Sequence, residues 1–178
     1  MYTFRPITRQ DFPLLGHWLT QPHVLRWWAD DPSPQALEVD YGGTIDGTEP
    51  SEVFIALRAG TPLGLIQRFR LTAYPQYLEA LRPLVDVPAG AYSIDYLIGE
   101  RDSTGRGWGS EMIRVFTQAI WREDAQASAV IVPVHTANAA SGRALEKAGF
   151  SCVASGLLEP DNPVDDWSHH IYRADAQR

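Results

Sequence analysis

Three glycines at alternate positions, Gly105, Gly107 and Gly109, stand between an apolar strand-like run and an amphipathic helical one. In such a strand-to-helix turn the backbone N–H groups point outward around an anion, and glycine removes the side chain that would block it. The spacing matches neither Gly-x-x-x-x-Gly-Lys-Ser/Thr nor Gly-x-Gly-x-x-Gly, which excludes a nucleoside-triphosphate loop and a dinucleotide-binding turn. Upstream, Asp95 sits mid-strand in AYSIDYLIG (91–99). With Ile94 and Tyr96 on one side of a sheet, its carboxylate emerges on the other. There it can bind an ammonium group and take its proton, a step that an alkyl ammonium with a pKa of about 10 needs before it becomes a nucleophile. A second set, Trp27, Trp28, Asp30, Asp31, Glu49 and Asp161, puts aromatic faces beside carboxylates, which suits a polycationic acceptor with apolar ring faces. Each also has a plainer reading, the tryptophans as core and Asp30-Asp31 before Pro32 as a solvated turn. His169-His170 near Asp165-Asp166 do not make a metal site, because adjacent residues on a strand point to opposite faces, and no metal is expected.

The elements that must position these residues follow from the pattern. YTFRPI (2–7) reads as an opening strand, and the apolar spacing of Phe12, Leu14, Leu15, Trp18 and Leu19 predicts a helix capped by Thr8 and ending before Pro22. A helix over 34–47 is expected to break at Gly42-Gly43, and EVFIALRAG and LGLIQRFRL form a hairpin around Thr61-Pro62. A short helix and a loop fill 74–89; strand 91–99, the glycine turn and a helix carrying Met112, Ile113, Phe116, Ala119 and Ile120 follow. Strand 129–134, a helix from about Ala139 to Ala148 stopped by Gly149, and strands near 150–157 and 166–174 complete the chain. This α/β order predicts one mixed sheet with helices on both faces, and residues 1–178 read as a single domain without repeats or linkers.

Composition narrows the classes. With 178 residues, 44% of them hydrophobic and 11% aromatic, the chain can bury a core, and the length is that of one domain. A formal charge of −7 argues against a nucleic-acid partner and for a small cationic one. No run reaches the roughly 18 apolar residues of a membrane span, and the N-terminus lacks a signal pattern, so a cytoplasmic protein is expected. The single Cys152 excludes an internal disulfide and a cysteine-rich zinc site.

The window Thr104-Gly105-Arg106-Gly107-Trp108-Gly109 resembles the acyl-coenzyme A loop of the GNAT N-acetyltransferases, Gln/Arg-x-x-Gly-x-Gly/Ala, with Thr104 in place of the leading Gln/Arg. Downstream, Asn138 and RALEKAGF (143–150) are similar to that family's Asn and its helix ending in Glu-Lys-Ala-Gly-Phe. HVLRWW, SIDYLIG and EPDNP look like segments of one branch, the aminoglycoside 6'-N-acetyltransferases, so that the similarity spans nearly the whole chain. The resemblance implies an α/β (α+β) fold with a mixed, mostly antiparallel sheet splayed between strands 91–98 and 129–134. Acetyl-CoA would be held by Leu97, Ile98 and Gly99, by Thr104, Gly105, Arg106, Gly107, Trp108, Gly109 and Ser110, and by Asn138 and Lys147. Asp95 would be catalytic, and Trp27, Trp28, Asp30, Glu49, Asp95 and Asp161 would bind the acceptor. Homodimers are common on this fold, so the chain is expected as a monomer or homodimer.

Two departures bear on the chemistry. The family's tyrosine, which protonates the departing thiolate, falls on Leu145, leaving Ser141 and His135 as weak substitutes. An aspartate that the aminoglycoside enzymes carry at the end of the strand before the Asn falls at Pro133. The expected activity is acetyl transfer from acetyl-CoA to the 6'-amino group of an aminoglycoside by direct attack. The alternatives are another amine (a siderophore precursor, a polyamine or a protein N-terminus) and an acyl-CoA-binding module without turnover.

Overall fold

The computed structural model describes residues 1–177. Seven strands, β1 (Tyr2–Pro6), β2 (Glu52–Arg58), β3 (Thr61–Arg70), β4 (Ala91–Ile98), β5 (Ala129–His135), β6 (Ser151–Leu157) and β7 (Ser168–Asp175), join one sheet in the order β1-β2-β3-β4-β5-β7-β6. The pairs β1/β2, β2/β3, β5/β7 and β6/β7 are antiparallel, and β4/β5 is parallel. That parallel ladder holds only Ala91 opposite Ala129 and Tyr92 opposite Val130, as a sheet splayed beyond those residues requires. The helices are α1 (Phe12–Leu19), α2 (Pro22–Trp28), α3 (Pro34–Ile45), α4 (Pro75–Leu81), α5 (Trp108–Glu123) and α6 (Ala139–Lys147). The mixed α/β architecture expected from the sequence is the one present. Among the described residues no helix is long and apolar enough to cross a membrane. The chain divides into two compact units, one of residues 1–68 and 95–109, the other of residues 69–94 and those from Ser110 onward.

The first unit is built on Leu15, Trp18, Leu19, Leu37, Ile55, Leu65 and Leu97, buried together. Each such side chain contributes roughly 1.5–3 kcal/mol on leaving water. Ahead of α1, the Thr8 N–H donates to Asp11 at 2.9 Å, and Arg5 pairs with the same carboxylate at 2.5 Å. The Arg5 guanidinium holds the Asp11 carboxyl below its ordinary range. The first helix ends before Pro22 as expected; one element is added and two expectations are corrected here. The segment after Pro22 is a second helix, α2, because proline is well placed in a first turn, where its missing N–H has no partner to lose. The hairpin turns at Ala59-Gly60 and not at Thr61-Pro62, which lie inside β3; both turn residues have positive φ, 50° and 82°, as a two-residue turn matched to strand twist needs. Helix α3 runs through Gly42-Gly43 without breaking. A Cβ at Gly42 would lie 2.7 Å from a Glu38 oxygen, and one at Gly43 2.8 Å from Glu49, so the two glycines make room for carboxylate side chains against the helix.

In the second unit, Leu71, Leu78, Leu81, Ala91, Ala129, Ile131, Leu158 and Ile171 form the core. Helix α5 buries the face anticipated from its period, Met112, Ile113, Phe116, Ala119 and Ile120. Its C-terminal end is tied down where Asp124 accepts from the Tyr92 hydroxyl at 2.8 Å and pairs with Arg70. Helix α6 starts at Asn138, whose Oδ1 accepts from the Ser141 N–H at 3.2 Å, and stops before Gly149, at φ 101°.

Candidate active site

The turn from β4 into α5 begins with a 3-10 turn at Arg101–Ser103. The Thr104 hydroxyl donates to the Arg101 carbonyl at 2.7 Å and Arg106 Nε to the Asp102 carbonyl at 2.6 Å, so both side chains brace the loop. Gly105 and Gly107 have φ of 70° and 79°, and a Cβ on either would meet no atom within 4 Å. The left-handed conformation calls for glycine, and the space above it is open, which fits a phosphate resting on the backbone. Gly109 differs. Its φ is not positive, and a Cβ there would make ordinary contact with Ile98 at 3.6 Å. Ser110 follows in the first turn of α5, half-buried.

The end of β4 is clamped from its own unit. A Cβ on Gly99 would strike the Trp18 ring at 2.2 Å, and the Gly99 N–H donates to the Leu63 carbonyl at 2.9 Å. His23, in the first turn of α2, donates from Nε2 to the Ile98 carbonyl at 2.8 Å. The Leu97 carbonyl lies where a Cβ on Gly64 would sit, 2.0 Å away. The Leu97–Gly99 backbone therefore keeps only some of its polar groups for pairing with a pantetheine chain.

Asp95, half-buried on β4, accepts a hydrogen bond from Gln67 Nε2 of β3 at 2.8 Å. Around it lies an acidic cluster. Tyr41 of α3 is 4% exposed, and burial together with Asp30, Asp40 and Asp95, in that order, drives its hydroxyl far above the ordinary range. The Asp40 carboxyl is itself pushed up by burial and by Asp31 and Glu49. Asp31 also accepts from the Ser33 N–H at 2.8 Å, so it is in part the turn residue that the sequence allows. Carboxylates that act together on Tyr41 and on Asp40 give this surface a negative field, which suits an ammonium-bearing molecule.

The two tryptophans part company. Trp28 packs against the core of its unit, while Trp27, half-buried, lies under the Arg26 guanidinium at 4.1 Å. α2 ends at Ala29, in the left-handed conformation, which turns Asp30 and Asp31 away from the helix. Among the predicted acceptor residues, Asp30, Glu49 and Asp95 gather in the first unit. Asp40, Tyr41 and Gln67 join them without having been anticipated. Gln67 left a signal, a polar residue inside the apolar run LGLIQRF; Asp40 left none, since an acid on a helix is usually solvated.

The remaining predicted residues belong to the second unit. Asn138 is the cap of α6, and Lys147 is exposed in its last turn. Leu145 is fully buried, which completes the core where the family's acid would stand. His135 accepts from the Ala137 N–H at 3.2 Å and its Nε2 lies 3.1 Å from the Asp166 carbonyl, so both ring nitrogens hold loops in place. Asp161 is solvent-exposed, yet surrounding protein mass raises its carboxyl, offset by His169. His169 and His170 do point apart, to the Trp167 carbonyl and to Ser155, and no metal-binding group of three occurs among the described residues.

Residues 8–156 match the family model described as an acetyltransferase (GNAT) domain. The aminoglycoside N(6')-acetyltransferases type 1 of Klebsiella pneumoniae and Serratia marcescens are each 24% identical over 166 residues, covering 91% of this chain and 79% of theirs. Among solved structures, the aminoglycoside acetyltransferase AAC(6')-Ib with coenzyme A and kanamycin superposes with a TM-score of 0.83 at 22% identity, over 98% of this chain and 95% of that one. Spermidine N-acetyltransferase from Vibrio cholerae, with CoA and spermine, gives 0.73 at 14% identity, over 98% and 95%. The open glycine cradle and the matched domain agree, and the chain belongs to the GNAT family of acetyltransferases, which use acetyl-CoA.

Proposed function

We propose that the protein acetylates a primary amine of a small polycationic acceptor, the 6'-amino group of an aminoglycoside, by direct attack of that amine. The observation that carries this reading is the acidic cluster of the first unit, in which Asp30, Asp40 and Asp95 act on Tyr41 while Asp31 and Glu49 act on Asp40. The relatives named for aminoglycosides support the same acceptor class.

Bound acetyl-CoA supplies the thioester. Gly105 and Gly107 leave their backbone open to its pyrophosphate. Asp95, oriented by Gln67, holds the acceptor ammonium and takes its proton, freeing the nitrogen lone pair. Asp30, Asp40 and Glu49 hold the other ammonium groups, and Trp27 offers a ring face. No side chain is assigned as acid: Leu145 has no proton to give, and a thiolate of pKa about 8.5 departs without much help.

A linear polyamine is the second reading, favoured by Pro133, which stands where the aminoglycoside enzymes carry a carboxylate. Thiol release from acetyl-CoA separates the two. Turnover with kanamycin and none with a 6'-hydroxyl analogue or spermidine supports the aminoglycoside; turnover with spermidine alone reverses the assignment. Acetyl-CoA binding without thiol release for any amine would make the chain a binding module.

A further inference from the structure

Six arginines of this acidic chain are spent on its own carboxylates: Arg5 on Asp11, Arg9 on Glu38 and Asp46, Arg68 on Glu52, Arg70 on Asp124, Arg114 on Glu111, and Arg173 on Asp175. Two others share an indole. Arg58, the last residue of β2, lies 4.0 Å from the ring centre of Trp108, and Arg106 of the glycine loop lies 5.1 Å from the same ring. Neither has a carboxylate partner among the described residues, and the Tyr2 hydroxyl anchors this turn by donating to the Trp108 carbonyl at 3.3 Å.

Two guanidinium groups gathered on one ring repel each other. The ring quadrupole offsets part of that repulsion, and an anion between or beside them would offset the rest. The backbone beside them, at Gly105 and Gly107, already suits one phosphate group without any side-chain charge. Coenzyme A carries two separate anionic sites: the pyrophosphate, which fits the backbone cradle, and the 3'-phosphate on its ribose. A phosphate monoester is close to a dianion at neutral pH, and guanidinium forks are the side chains that match it bidentately.

We infer that Arg58 and Arg106, held on the Trp108 ring, form the subsite for the 3'-phosphate of coenzyme A and make this enzyme select full CoA thioesters over 3'-dephospho forms. This rests on the use of acetyl-CoA by the chain. Arg58 lies far from the loop in sequence, and the pairing of β1 and β2 brings Tyr2 and Arg58 opposite each other. The subsite is therefore completed by a strand that carries none of the family's loop motif.

Calorimetric titration with CoA and with 3'-dephospho-CoA tests the assignment on the wild-type protein, R58Q, R106Q and the double variant. Wild type should bind CoA about tenfold or more tighter than the dephospho form, the size of a charge-assisted double contact. R58Q should lose most of that ratio while its affinity for 3'-dephospho-CoA stays within about twofold, and the double variant should bring the ratio close to one. R58K, which keeps the charge but not the fork, should fall between wild type and R58Q. A wild-type ratio near one, equal weakening of both ligands, or a ratio unchanged in the double variant would overturn the subsite. Wild type binding neither ligand would remove the cofactor reading, and the subsite with it. Thermal melting of each variant separates lost binding from lost fold.

Discussion

The glycine loop and the acidic cluster, the proposed cofactor and acceptor regions of the first unit, are built on opposite plans. The loop is contiguous, and what it offers is backbone: Gly105 and Gly107 turn left-handed and leave their surroundings bare. The cluster is dispersed over the turn after α2, α3, the segment after α3 and β4, and it offers charge, with Tyr41 at its centre raised by acids that are remote from one another in sequence. Glycine serves both regions by different physics. In the loop it supplies positive φ; in α3 Gly42 and Gly43 supply an empty surface on which Glu38 and Glu49 lie, at a helix-propensity cost of about 1 kcal/mol each. A backbone site is thus fixed by local conformation, whereas a charged site depends on which elements fold against each other.

That contrast breaks most visibly at Asp95. Asp95→Asn should lower kcat by about 10²–10⁴-fold, the usual worth of a general base, with the calorimetric affinity for CoA unchanged. Loss of CoA binding instead would tie the two regions into one. Next in size, Gly107→Val forces a β-branched residue to φ 79°, a strain of roughly 1–3 kcal/mol, and should weaken CoA binding about tenfold or more while leaving the acceptor KM nearly as it was. Gly109→Val, at an ordinary φ beside Ile98, should weaken binding much less, and equal losses would mean that bulk and not conformation governs the loop.

Smaller effects sharpen the acceptor side. Asp40→Asn and Glu49→Gln should each raise the acceptor KM about three- to tenfold with kcat nearly unchanged, the loss of one charged hydrogen bond in a partly solvated site. Smallest is a stability effect of opposite sign. Burial, Asp31 and Glu49 raise the Asp40 carboxyl above its ordinary 3.8, so the unfolded chain gives up that proton more readily and stability falls as pH rises through the raised value. Asp40→Asn should therefore raise the melting temperature at pH 7, and the gain should vanish as pH falls below the ordinary carboxylate value. A lower melting temperature at pH 7 would show that the Asp40 charge stabilises the fold.

The order of strands and helices was legible wherever one period held over a whole element, as in α5 with its buried Met112, Ile113, Phe116 and Ile120. It was misread where glycine or proline had a tertiary reason to be present. Gly42-Gly43 lie inside a helix, and the hairpin reverses at Ala59-Gly60 with Thr61-Pro62 inside the following strand. Each misreading treated a residue as punctuation when its environment had another use for it.

By itself the sequence determined the backbone on which the proposed anion cradle rests: a strand, a glycine turn and a helix, with left-handed φ at Gly105 and Gly107, because φ and the absence of a side chain are local properties. It also determined that Leu145, at the position where the family resemblance puts an acid, has no proton to donate whatever surrounds it. Only the tertiary structure decided that Asp40 and Tyr41 stand with Asp30 and Asp95, that Gln67 orients Asp95, and that Arg58 shares the Trp108 ring with Arg106. Electrostatic interaction depends on distance through space, and the spacing of charges along a chain does not give it until strands and helices have packed.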